Sequence, residues 1–180
     1  MNLFLLRHAS AGTRRSNPRL DLKRPLDKDG KKYCLQLALV LNALDVQFDL
    51  VVSSPLKRCL QTASLVGTET GYESKILLSN ALAPEATLAD FQQLLRNCSG
   101  NKSGTENLLL VGHNPNLTAF LGSLIAANGA APRIRLRKGT LARLSLNRGP
   151  AVLQAVLDPR TVRALYATST RSSRRKTSRK

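Results

Sequence analysis

Only two histidines occur in this 180-residue chain, and each closes an apolar run: His8 after Leu3-Phe4-Leu5-Leu6-Arg7, and His113 after Leu108-Leu109-Leu110-Val111-Gly112. Arg58 lies just beyond a third run, Leu50-Val51-Val52-Ser53. Arg7 and Arg58 keep their charge at any physiological pH and present paired donors that match two oxygens of one anion. Two guanidiniums and two imidazoles suit a tetrahedral oxyanion better than a carboxylate or a metal, and phosphate is the natural candidate. Zinc would need further Cys, Asp or Glu ligands, and the two arginines would oppose the ion, so neither a metal nor a cofactor is expected. Taken one at a time, each residue also has a plain structural reading: His8 as a strand-end histidine, Arg58 as a solvated cation, Cys59 as packing.

Convergence of these residues requires elements that end in the same place. Residues 2–6 read as a short buried strand that should end near Leu6, so that Arg7 and His8 can both reach one pocket. A polar loop over 10–25 follows, long enough to carry a function. Helical spacing over 30–44 (Leu35, Leu37, Ala38, Leu41, Leu44) precedes a second strand at 49–53. Ser54-Pro55 predicts a helix that starts at Pro55 and carries Arg58, because proline suits the first helical position. A brief strand at 75–78, a helix at 87–95 and a small-polar linker at 99–105 lead to the strand at 108–111 and a helix at 116–127. His113 would then stand at a helix N-terminus, where the dipole favours an anion. Segments 133–137, 140–146 and 152–157 read as two or three strands, and the basic residues over 133–148, alternating with Ile134, Leu136, Leu141 and Leu144, read as an exposed basic strand face. Strands alternating with helices give an α/β class, with the loaded residues at strand C-terminal ends, where open α/β sheets bind ligands.

Hydrophobic content of 42% supports one substantial core, built from Leu, Val, Ile and Ala since tryptophan is absent. Three cysteines without C-x-x-C spacing predict reduced thiols rather than a disulfide framework or a zinc site. The apolar start is cut short by Arg7 and His8, and no run approaches membrane-spanning length, so a cytoplasmic location is expected. Net charge is +17, and without the basic segment 171–180 there remain 22 basic residues against 11 acids, still +11. Such an excess favours polyanionic neighbours. The terminal segment is too polar to order itself and is expected to be disordered.

Leu6-Arg7-His8-Ala9, Ser53-Ser54-Pro55-Leu56-Lys57-Arg58 with Gln61-Thr62-Ala63, and Val111-Gly112-His113-Asn114-Pro115 together resemble the histidine phosphatase superfamily across most of residues 1–158. Asp21-Leu22-Lys23-Arg24-Pro25-Leu26 followed by Gly30, Leu82-Ala83-Pro84, and Lys138-Gly139-Thr140 are similar to its SixA-type phosphohistidine phosphatase branch. The resemblance implies a three-layer α/β/α, phosphoglycerate mutase-like fold with a mixed, mostly parallel sheet. It also implies a phosphohistidine intermediate on His8, with Arg7, Arg58 and His113 clamping the phosphoryl oxygens. Asn114 joins them as a substrate contact, and Arg24 is either a contact or a loop support. The phosphatase domain would span 1–167, leaving 168–180 as a basic, disordered tail.

Chemically the scheme is coherent. A neutral imidazole is a competent nucleophile near pH 7, and its second nitrogen should donate to a backbone carbonyl that fixes the tautomer. Ala9 replaces the glycine that usually follows the histidine, which fits unless the position needs positive φ. Glu85 is the one acid near the expected general-acid region, and reads either as that acid or as a solvated loop glutamate. The expected substrate is phosphohistidine on a protein, such as a phosphorelay domain, because imidazole leaves without a strong acid. Two alternatives stand beside it: a phosphomonoesterase acting on a small-molecule or sugar phosphate, and a basic interaction module with a vestigial pocket.

Overall fold

Leu3 and Leu5 face one side of strand β1 (Asn2–Arg7), Phe4 and Leu6 face the other, and all four are buried, so this strand needs a helical layer on each side. The computed structural model, which describes residues 1–99, 104–126, 132–147 and 149–177, provides both. One six-stranded sheet, in the order β3-β2-β4-β1-β5-β6, is built from β1, β2 (Leu50–Ser53), β3 (Leu77–Leu78), β4 (Asn107–Gly112), β5 (Leu141–Ser145) and β6 (Val152–Leu157). The pairs β1–β4, β4–β2 and β2–β3 are parallel, whereas β1–β5 and β5–β6 are antiparallel.

Helices α2 (Lys28–Ala43), α3 (Lys57–Glu69) and α6 (Pro159–Thr177) cover one face, where Phe4, Leu6, Leu109 and Val111 pack with Leu37, Leu41, Val66 and Val162. Helices α4 (Leu88–Ser99) and α5 (Asn116–Ile125) cover the other, where Leu3, Leu5, Leu108 and Leu110 meet Phe91, Leu117, Phe120 and Leu121. Each side chain of this size contributes roughly 1.5–3 kcal/mol on burial, so alternation along β1 and β4 binds both layers to one sheet. The architecture is the three-layer α/β/α fold that the family resemblance implies, and its α/β class is the one the strand and helix pattern predicts.

Register levels the strand ends that matter. Arg7 pairs across from Gly112, and Ser53 from Val111, so β1, β4 and β2 finish side by side and release His8, His113 and Ser54 at one edge. The strand runs one residue beyond the expected end at Leu6. Arg7 N–H still bonds Thr140 O at 3.0 Å, and His8 N–H bonds Gly112 O at 3.1 Å before the chain turns away. Arg7 nonetheless acts electrostatically on His8, with its Nη1 reaching the Leu136 carbonyl at 2.7 Å.

Several elements differ from the sequence expectation. Helix α3 begins at Lys57 rather than Pro55: Leu56 is its extended N-cap, and Ser54 Oγ, which accepts Leu56 N–H at 3.4 Å, turns the chain first. A short helix, α1 (Pro18–Leu22), stands inside the expected 10–25 loop, with Asn17 as N-cap accepting Arg19 N–H. Segment 133–137 is not a strand, since the Leu136 carbonyl is taken by the Arg7 and Asn114 side chains instead of a neighbouring strand. Helix α6 continues to Thr177 through most of the tail set apart at 168, in a stretch rich in Arg and Lys with no Gly or Pro after Pro159. Residues 100–103 of the expected linker, residue 127 of the expected fifth helix and 178–180 of the tail lie outside the described residues.

Gly139 illustrates how a late segment is fixed to the nucleophile loop. Its N–H lies 3.0 Å from Arg7 O and 3.1 Å from His8 O, its carbonyl accepts Tyr33 O–H at 2.7 Å, and its φ is +86°. A Cβ there would strike the Tyr33 ring, so glycine is required on two counts.

Candidate active site

The His8 and His113 rings lie with centroids 5.1 Å apart and planes tilted by 59°, and both side chains are buried. His8 Nδ1 lies 2.8 Å from the carbonyl of Ala9. A carbonyl only accepts, so the proton belongs on Nδ1 and the lone pair on Nε2. Ala9 itself is fully buried and lacks positive φ, so alanine fits where the related motif has glycine. Its N–H donates to Thr62 Oγ1 at 3.2 Å, and the Thr62 hydroxyl donates to Arg58 O at 2.7 Å, joining the nucleophile loop to the first turns of α3.

His113 precedes the α5 N-cap, Pro115, by two residues, and its own carbonyl accepts Leu117 N–H at 2.8 Å. Ser54 Oγ stands 2.9 Å from His113 Nε2, and Cys59 Sγ 3.2 Å from it. Ser54 Oγ also accepts Leu56 N–H at 3.4 Å, so it ties His113 to the turn that leads into α3.

Arg7 and Arg58 are each tethered through one nitrogen. Arg7 Nη1 donates to Leu136 O at 2.7 Å, and Arg58 Nη1 to Asp21 O at 3.0 Å, with the Asp21 carboxylate 3.5 Å away. Nε of both arginines is buried without a partner, and neither Nη2 meets an acceptor among the described residues. A buried donor left unpaired costs about 1–3 kcal/mol, an arrangement that persists where function requires it. Helix α3 begins with Lys57 and Arg58, without an acid in its first turn or a side-chain cap, so its positive end is compounded rather than neutralised.

Arg24 is buried and fully engaged in its own loop, with Nη1 donating to Ala11 O at 2.7 Å and Nε to Asp21 Oδ1 at 2.8 Å. Asn114 Nδ2 shares the Leu136 carbonyl with Arg7, at 3.1 Å, while its Oδ1 is buried and unpartnered. Glu85 does not join the cluster. It is exposed and lines a separate cleft with Asn80, Asp90 and Asn97, because Asn116 Nδ2 clamps the 83–86 loop through the carbonyls of Ala83, Pro84 and Ala86.

Three contributors were not singled out from sequence. Asp21 bridges Arg24 and Arg58; its carboxyl is held down to about 2, chiefly by the Arg24 hydrogen bond. Ser54 orients His113, and Lys138 acts on His8 from the 132–138 segment. Among the described residues no three His, Cys, Asp or Glu side chains gather as a metal ion would need, and no helix is long and apolar enough to cross a membrane.

The family model of the histidine phosphatase superfamily (branch 1) matches residues 3–84, which carry β1, the His8 loop and Arg58. The chain belongs to the histidine phosphatase superfamily. An uncharacterized protein of Picosynechococcus sp. is 30% identical to this histidine phosphatase over 159 residues, which is 88% of this chain and 92% of that one. Its fold resembles the protein histidine phosphatase SixA complexed with tungstate, with a TM-score of 0.78 and 22% identity, covering 90% of this chain and 99% of that one. It is also similar to a candidate phosphohistidine phosphatase SixA from Agrobacterium tumefaciens, with a TM-score of 0.71 and 26% identity, covering 88% and 97%.

Burial, above all, keeps both imidazoles of this histidine phosphatase neutral. It lowers His8 to about 3, against the opposing Ala9 hydrogen bond and with help from Arg58, Arg7 and Lys138. His113 is likewise lowered to about 3 by burial, then by His8 and the arginines. In the unfolded chain both titrate near 6.5, so below that pH the unfolded state binds more protons and folding loses stability. Between pH 6.5 and 5, where carboxylates stay charged in both states, urea midpoints should fall with decreasing pH. The expected slope is up to roughly 1.4 kcal/mol per pH unit for each histidine. A midpoint that stays flat across this window would show that the histidines are not held neutral.

Proposed function

We propose that this histidine phosphatase removes the phosphoryl group from phosphohistidine on a protein, with His8 as nucleophile. The observation that carries the reading is the pairing of a neutral His8, proton fixed on Nδ1, with two arginines whose remaining donors are uncommitted beside it. His8 Nε2 attacks phosphorus, forming an N–P bond as the substrate's P–N bond breaks and its imidazole leaves with the bonding pair. Arg7, Arg58 and His113 contact the equatorial oxygens and neutralise their charge while the phosphoryl passes between the two nitrogens. Asn114 contributes a polar contact at the rim. Water then cleaves the His8 N–P bond and yields inorganic phosphate.

The choice of phosphohistidine over a phosphate ester rests on the acids. Asp21 is ionised and bound to arginines, and Glu85 lines another cleft, so neither is placed to protonate an alkoxide. An imidazole leaving group is less basic and does without such a proton. Similarity to SixA-type proteins supports the same choice.

Phosphate release from a phosphohistidine protein and from an aryl phosphate ester, measured in parallel, tests the substrate. Release should be faster from the phosphohistidine. Comparable or faster ester hydrolysis would make the enzyme a general phosphomonoesterase and return Glu85 to consideration.

A further inference from the structure

Beside the site, and ending on Arg7, lies a cleft of 1120 Å³ between the 132–138 segment, α5 and the start of α6. It is larger than the roughly 300–1,000 Å³ typical of small-molecule pockets, and far larger than a phosphoryl group needs. Its cationic lining is Arg7, Arg135, Arg137, Lys138, Arg160 and Arg163, and no acid lines it among the described residues. Asp158 stands behind the lining and bonds Arg137 at 2.7 Å and Arg160 at 3.2 Å, which neutralises one charge and fixes two guanidiniums. Arg163 rests over the Tyr33 ring at 5.7 Å, and Arg135 is exposed with no hydrogen bond or ion pair among the described residues. Pro115, Ala119 and Ile134 give the cleft an apolar floor.

We infer that this cleft docks an acidic polypeptide segment of the phosphoprotein substrate, holding it so that the phosphoryl group reaches His8. The inference rests on the function proposed above and adds where the protein part of the substrate binds. Charge complementarity selects an acidic partner, and the apolar floor suits aliphatic side chains. Among the described residues no aromatic side chain lines the cleft, so none of them stacks bases as a nucleic-acid groove would. Lys138 connects the two regions, since it lines the cleft and also acts on His8.

The test compares wild type with the double variant Arg135→Glu/Arg163→Glu on two substrates. One is a phosphohistidine protein of net negative charge; the other is free phosphohistidine, which has the same P–N bond and no polypeptide. Charge reversal should lower kcat/KM on the protein by about tenfold or more, chiefly through KM, and leave free phosphohistidine unchanged. Salt should depress wild-type kcat/KM on the protein more than that of the variant. Unchanged turnover of the protein by the variant would overturn the docking assignment alone. Equal losses on both substrates would also overturn it, placing the arginines in the fold or the catalytic machinery. Wild type that releases phosphate from neither substrate would sink the underlying function and the inference with it. An RNA oligonucleotide that competes with the protein substrate where an acidic peptide does not would assign the cleft to nucleic acid instead.

Discussion

His8→Ala should abolish phosphate release from a phosphohistidine protein, by at least about 10⁴-fold in kcat, while the chain stays folded. The mechanism divides phosphoryl transfer into two displacements at one nitrogen, and alanine removes that nitrogen outright. The remaining clamp of Arg7, Arg58 and His113 can bind an oxyanion but cannot form the covalent intermediate. Binding and chemistry therefore separate in this variant. Tungstate or phosphate should still raise its melting temperature, because that stabilisation requires the cations and not the nucleophile. Rapid-quench labelling makes the same point: wild type should hold an acid-labile phosphoryl group transiently, and the variant should hold none. Turnover within tenfold of wild type would remove His8 from the nucleophile role.

Arg58→Ala should cost about 10²–10³-fold in kcat/KM, with little loss of folding stability. Arg58 donates to Asp21 O and lies 3.5 Å from its carboxylate, yet Asp21 keeps Arg24 at 2.8 Å, so no carboxylate is orphaned by the substitution. What is lost is a preorganised cation beside the phosphoryl oxygens, in a buried site where such a charge acts strongly. Arg58→Lys should recover only part of the activity, because a point charge cannot reproduce the guanidinium fork or reach the Asp21 carbonyl with the same geometry. Measured by urea unfolding and steady-state kinetics on free phosphohistidine, the variant separates catalysis from folding. Loss of stability in step with activity would mean that Arg58 is a structural cation.

The apolar runs of β1, β2 and β4 were legible because a short continuous apolar stretch is the local mark of a strand buried on both faces. So were the loaded residues at their ends. Boundaries were read less well, and one mistake is instructive. Proline at a first helical position was assigned to Pro55, where the chain instead turns through Ser54 and Leu56, whereas Asn17-Pro18 carries that signal and opens α1. Both dipeptides look alike locally. The difference lies in His113, 59 residues away, which engages the Ser54 hydroxyl. Helix α6 was missed over a stretch whose composition is too polar to order itself alone, yet Val162 is fully buried against the sheet's helical layer and anchors its start.

By itself, then, the sequence determined the α/β class, the order of the elements apart from α1, α6 and segment 133–137, and the chemical character of His8, His113, Arg7 and Arg58, since all of these are local properties of the chain. Tertiary structure alone decided which nitrogen of His8 carries the proton, that Asp21 holds Arg58, that Leu136 tethers Arg7, and that Glu85 lines a different cleft. Each of these depends on a carbonyl, a carboxylate or a loop clamp brought in by the register of the sheet and the packing around it. Hydrogen-bond partners and desolvation are set by neighbours in space, and a linear pattern does not encode them.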